Sequence, residues 1–150
     1  MATQTLGTWS TGRRIAVATA VAGTLDILAA MLLTLSRGKD VLPMLRGVAS
    51  GPFPGASGWG TEGSVLGLAV HFAIMAVIAT VFVLAADRKP DLKARPLLWG
   101  VLYGLATYVV MNLIVVPLRF GSMPSLLAVG TQLFCHIVLV GIPIAFIARK

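Results

Sequence analysis

Charge is what this sequence has least of. Only 11% of its 150 residues are Asp, Glu, Lys or Arg, against about 25% in an ordinary soluble domain. Hydrophobic residues make up 57% and the mean hydropathy is +0.92. A chain this apolar is not disordered, and it is a poor candidate for a water-soluble globular domain. Cysteine is nearly missing too: Cys135 stands alone, which excludes an internal disulfide and a thiolate metal cluster. Catalytic motifs are absent: no Gly-rich phosphate loop, no nucleophile elbow and no HExxH spacing occur. No internal repeat is evident, so an inverted-repeat transporter has no support. A net charge of +7 would suit a nucleic-acid binder, but basic residues in so apolar a chain fit better as flanks of membrane spans and contacts to anionic headgroups. No nucleic-acid partner is expected.

What is present in abundance is long apolar runs. A spanning helix needs about 20 mostly apolar residues to cross a hydrocarbon core about 30 Å thick. Four stretches qualify: Ile15–Leu35, Ser64–Ala86, Pro96–Leu118 and Ser125–Ala148. They use up most of the chain, leaving a single all-α membrane domain, residues 1–150, arranged as a transmembrane four-helix up-down bundle. Eight basic residues flank one side (Arg13, Arg14, Arg88, Lys89, Lys93, Arg95, Arg149 and Lys150) and four the other (Arg37, Lys39, Arg46 and Arg119). The positive-inside rule then places both termini in the cytoplasm of a bacterial inner membrane. The run Ser10–Ile15 faintly resembles a twin-arginine export signal. The apolar run after it is longer than the 7–15 residues typical of a signal core, and no small-x-small cleavage site closes it, so a retained span is expected.

The loops differ in kind. Residues 87–95 form a short charged hairpin between antiparallel neighbours, and residues 119–124 a tight turn. The outer loop, residues 36–63, is long. Its first half, residues 41–48, suits a short helix lying at the interface. Its second half, residues 51–60, is too rich in Gly and Pro for regular structure. The loop reads as a connector resting Phe53 and Trp59 at the headgroups, with a lid over the outer mouth as the alternative. Small residues should carry the packing, because burial of apolar surface drives little association in lipid. Candidate stripes are Gly100-x-x-x-Gly104 with Thr107, then Ala69, Ala73, Ala76 and Thr80 with Gly63 and Gly67 at the outer end of that span, and the alanines and Gly23 of the first span. The same stripes would serve a homo-oligomer or another membrane-protein partner.

Each span carries at least one strongly polar residue: Asp26, His71, Asn112, and Gln132 with His136. Such groups are costly in a bilayer and count as functional-site candidates. Counted from the outer ends at 1.5 Å per residue, Asp26 and His136 lie roughly 14–17 Å deep, and His71 and Asn112 roughly 9–11 Å. The set therefore forms a polar pocket in the middle-to-outer layer, closer to a cavity open outward than to a pore. By face, Asp26 falls with Thr19, Ala22 and Ala30, His136 with Gln132 and Val140, His71 away from its alanine stripe, and Asn112 with Tyr108. The plainest role for these groups is hydrogen bonding between helices. Beyond that stand three readings. One is a binding or accessory role for the pocket. Another is haem-b or quinone-linked electron transfer with His71 and His136 as axial ligands, although their depths differ by roughly 6 Å. The last is a proton or small-solute conductor using Asp26. A metal held by Asp26 and the histidines lacks any fixing motif.

Several short runs add a resemblance: Gly23-Thr24-Leu25-Asp26, residues 45–51 (LRGVASG), His71-Phe72, Tyr103-Gly104, residues 111–118 (MNLIVVPL) and residues 141–145 (GIPIA). Together the chain resembles small uncharacterised four-span bacterial inner-membrane proteins. The resemblance implies location and fold and carries over no catalytic residue.

Overall fold

The computed structural model describes residues 9–123 and 125–150; Pro124, in the expected third turn, lies outside them. Every regular element among the described residues is helical. In chain order these are α1 (Thr11–Ser36), the short α2 (Val41–Ala49), a 3-10 helical turn at Pro54–Gly58 where no regular structure was expected, α3 (Thr61–Arg88), the single-turn α4 (Pro90–Ala94), α5 (Pro96–Phe120) and α6 (Leu126–Ala148). Four of them are long and apolar enough to cross a membrane. Their ends follow local chemistry. Ser10 Oγ accepts from the Arg13 amide and Ser125 Oγ from the Ala128 amide, filling donors that a helix start leaves open. Pro90 and Pro96 open their helices where a missing N–H costs nothing. Gly38 and Gly121 end α1 and α5 with left-handed φ of 67° and 66°.

Helices α5 and α6 each widen into a π-helical stretch, Val109–Val115 and Cys135–Gly141. Each stretch runs up to a proline, Pro117 or Pro143, whose ring crowds the carbonyl four residues back and offers it no N–H. Wider bonds, from the Val116 amide to Met111 O and from the Ile142 amide to Ile137 O, accommodate this. A wider turn also rotates the side chains beyond it, so faces counted at 100° per residue slip there.

Packing is uneven along the bundle. At the end bearing the termini, Ala18 and Ala22 of α1, Met75, Ala79 and Phe82 of α3, and Val140, Ile144 and Ala145 of α6 close into one buried core. Toward the opposite end the bundle loosens. Leu126–Phe134, the first half of α6, has no buried residue and packs on α5 rather than α1. The final turns of α6 touch α3 as well as α1 and α5. One expectation is corrected here. Helices α3 and α5, joined by the short α4, are not close-packed neighbours, and long side chains bridge the space between them, with Tyr103 Oη donating to Ile78 O at 2.7 Å. The reason is glycine. A Cβ on Gly104 would strike the backbone of His136 and Ile137, and one on Gly141 the backbone of Gly100 and Gly104. Helix α5 is thereby drawn onto α6 and away from α3.

The alanine stripe expected on α3 is not its packed side, whereas Gly63 and Gly67, expected at its outer end, do pack. Ala69 and Ala73 are exposed, and the buried face runs through Gly63, Gly67, His71, Met75 and Ala79. Gly67 is used by α2, because a Cβ there would overlap the Leu45 carbonyl. The long loop between α1 and α3 is thus packed rather than slack. Leu45, Ala49 and Ala56 are buried, Ser64 Oγ donates to Leu42 O, and Arg119 on α5 donates to the carbonyls of Ser50 and Gly51. Phe53 and Trp59 stay half exposed. We expect Gly67→Leu to dislodge α2 while sparing the long helices. Overpacking of about 1–3 kcal/mol should raise protease cleavage within residues 41–58 about tenfold, with helical circular dichroism nearly unchanged.

Candidate functional site

His71 lies on the packed face of α3 and meets α1 at Gly23. The missing side chain at Gly23 admits the Phe72 ring where a Cβ would sit, and His71 Nε2 lies 2.9 Å from the Gly23 carbonyl. A carbonyl only accepts, so Nε2 carries the hydrogen and donates. The other ring nitrogen, Nδ1, faces Asp26 Oδ2 at 4.0 Å. That separation is too long for a direct hydrogen bond. The His71 and Asp26 side chains are 11% and 20% exposed, so the carboxyl group is the more open member.

A second group forms where the two π-helical stretches approach. His136 Nδ1 donates to the Gln132 carbonyl at 2.8 Å, which leaves Nε2 as the acceptor in the neutral ring. Asn112 Nδ2 comes to 3.5 Å from that Nε2. Tyr108 packs edge-on against His136, with ring centroids 5.9 Å apart. Its ring is buried, and its Oη has no hydrogen-bond partner among the described residues. A buried hydroxyl without a partner calls for an explanation, and a bound ligand or water is the usual one.

The five residues expected in the pocket are therefore gathered in two groups, Asp26 with His71 and Asn112 with His136. Gln132 enters through its backbone carbonyl rather than its amide. No hydrogen bond or ion pair among the described residues joins the groups. Both sit on the loose side of the core, next to Met75 and Val140 in sequence. Tyr108 and Gly23 are members that sequence reasoning did not single out. The signal for Tyr108 was its shared face with Asn112, and for Gly23 its place one helical turn before Asp26.

Haem does not fit the pair of histidines as they stand. Each axial imidazole must offer a lone pair toward the bundle core. His71 Nε2 instead donates to backbone, where α1 and α3 touch too closely for a macrocycle to enter, and its Nδ1 is turned to the Asp26 carboxyl group. Among the described residues no group of three His, Cys, Asp or Glu gathers to hold a metal ion.

A further polar cluster lies at the end bearing the termini. Arg14 is buried and pairs with Asp87 through two bonds, Nη1 to Oδ1 at 2.8 Å and Nη2 to Oδ2 at 2.9 Å. It also donates to the Ala148 carbonyl at 2.9 Å, and Thr11 and Lys93 donate to the same carboxylate. One guanidinium thus ties α1, α3 and α6 together. In the sequence Arg14 reads as a flanking charge, and nothing local marks its partner.

Comparison with models of known protein families, with curated protein sequences and with solved structures finds no match. The chemistry of the site rests on its geometry.

Proposed function

We propose that the chain is a multi-pass protein of the bacterial inner membrane with both termini in the cytoplasm, and that it acts as a binding or accessory component through the polar pocket around Asp26 and His71. Several features support the membrane placement. Leu32, Val65, Leu118 and Leu126 are 67%, 64%, 83% and 91% exposed, an arrangement suited to lipid, whereas burying each would gain about 1.5–3 kcal/mol in water. The basic residues are distributed eight to four between the two ends. Asp87 facing Arg14 does not weaken that count, because acidic residues contribute little to orientation.

The observation that carries binding over conduction is the position of the packed core. Both polar groups lie on the loose side of it, where the first half of α6 parts from α1. On the other side Ala18, Ala22, Ala79, Val140, Ile144 and Ala145 fill the bundle. A conductor needs polar groups along its whole length or a recognisable gate, and this arrangement suits a pocket with one open end. Asp26 and His71 offer a carboxyl group and an imidazole nitrogen, and the second group adds the unpartnered Tyr108 hydroxyl, chemistry suited to small polar ligands.

Reconstitution tests the reading. Liposomes containing the protein should dissipate an imposed pH gradient no faster than empty ones. Rapid dissipation that Asp26→Asn abolishes would replace the binding role by proton conduction. Protein expressed with ample haem should purify without a Soret band, and a band lost in both His71→Ala and His136→Ala would restore the electron-transfer reading. His71→Phe removes the bond to Gly23 and should cost about 0.6–1.7 kcal/mol in thermal unfolding.

A further inference from the structure

Helices α3 and α5 leave a cleft along their seam, and α2 with the segment after it roofs the end away from the termini. The covered part is about 500 Å³ and takes its walls from Val48, Pro52, Ile74, Met111 and Val115, with Arg119 at the rim. That size lies within the range of small-molecule sites. It would hold only about one turn of a helix 10–12 Å across, so a partner helix is a poor occupant. Below Met111 the seam continues as a shallower apolar groove past Val77, Val110 and Tyr103.

The rim supplies the charge. Arg119 Nε donates to Gly51 O at 2.7 Å and Nη2 to Ser50 O at 2.8 Å. Those carbonyls are neutral, and no carboxylate among the described residues lies within ion-pair distance of this guanidinium. The cation is held in place beside an apolar cleft with its charge uncompensated. Half of a 30 Å hydrocarbon core is about 15 Å, roughly ten residues of α5 counted inward from Arg119. That is the stretch lining the deep part of the cleft.

We propose that this cleft binds an anionic phospholipid, with an acyl chain between α3 and α5 and the headgroup phosphate on Arg119. The proposal rests on the membrane placement above and is independent of the role given to Asp26 and His71. Native mass spectrometry of the full chain tests it, using delipidated protein offered equal amounts of phosphatidylglycerol and phosphatidylcholine with the same acyl chains. Phosphatidylglycerol should be retained preferentially. Arg119→Gln keeps donors for the two loop carbonyls and should cut that preference about fivefold. Val115→Trp, at a half-exposed wall position, should lower retention of both lipids alike. Equal retention of the two lipids by the wild type, or a preference unchanged in Arg119→Gln, overturns the proposal. Inorganic phosphate that raises the thermal midpoint as far as the lipid does would assign the site to a free anion and also overturn it. Membranes are washed first with alkaline carbonate. Release of the protein there defeats the membrane placement itself, whereas retention followed by equal lipid binding defeats the lipid site alone.

Discussion

Gly141→Ala should destabilise the protein by about 2–3 kcal/mol, whereas Gly130→Ala on the same helix should be neutral or stabilise it by up to about 1 kcal/mol. The two substitutions add the same methyl group to α6. At Gly130 nothing lies within 4 Å of the new Cβ, so only the ordinary gain in helix propensity is felt. At Gly141 the Cβ would land on the backbone of Gly100 and Gly104, which cannot move aside as a flexible side chain would. Helices α5 and α6 would have to separate, exposing a contact that in lipid depends on close approach. Thermal unfolding of both variants in one detergent checks the contrast. Equal midpoints would mean that the glycine contact does not hold α5 against α6.

That contact shows how far the sequence could be read. The pair Gly100 and Gly104 announced a packing face, and the face is used within the chain. Its partner was not legible, because Gly141 lies in a π-helical stretch where counting at 100° per residue fails. Two helix starts were read correctly, at Pro96 and next to Ser125, whereas the Ser10 cap was passed over for a start at Ile15 and the Pro90–Ala94 turn of helix was read as plain hairpin. On α3 the alanines misled, because alanine is small on a lipid face and a packed face alike, whereas Gly63 and Gly67 marked the packed face; what they and His71 touch there, the Leu45 carbonyl and Gly23 among them, was not legible. Counting depth along the helices put five polar side chains in one layer. It could not show that they separate into two groups, since that depends on which helices meet.

Arg14→Met should be the most damaging change at the end bearing the termini, costing about 2–4 kcal/mol. Breaking a fully buried ion pair costs about 3–5 kcal/mol; here Asp87 is 28% exposed and keeps Lys93, which lowers the figure. The loss spreads over three helices, because the same guanidinium holds the Ala148 carbonyl. Arg14→Met combined with Asp87→Leu should recover part of it, since an apolar pair leaves no stranded carboxylate. A double-mutant cycle by thermal unfolding measures the coupling. Additive losses, with no recovery in the double variant, would show that the pair contributes little.

The most direct test of the account is its orientation in the membrane. In a Cys135→Ala background, single cysteines placed at the exposed positions Ser57 and Lys89 are probed with a membrane-impermeant maleimide on intact cells. The account predicts labelling of Ser57→Cys in intact cells and of Lys89→Cys only after the membrane is opened. Labelling of Lys89→Cys in intact cells with Ser57→Cys protected would contradict it, and so would recovery of the protein in the soluble fraction.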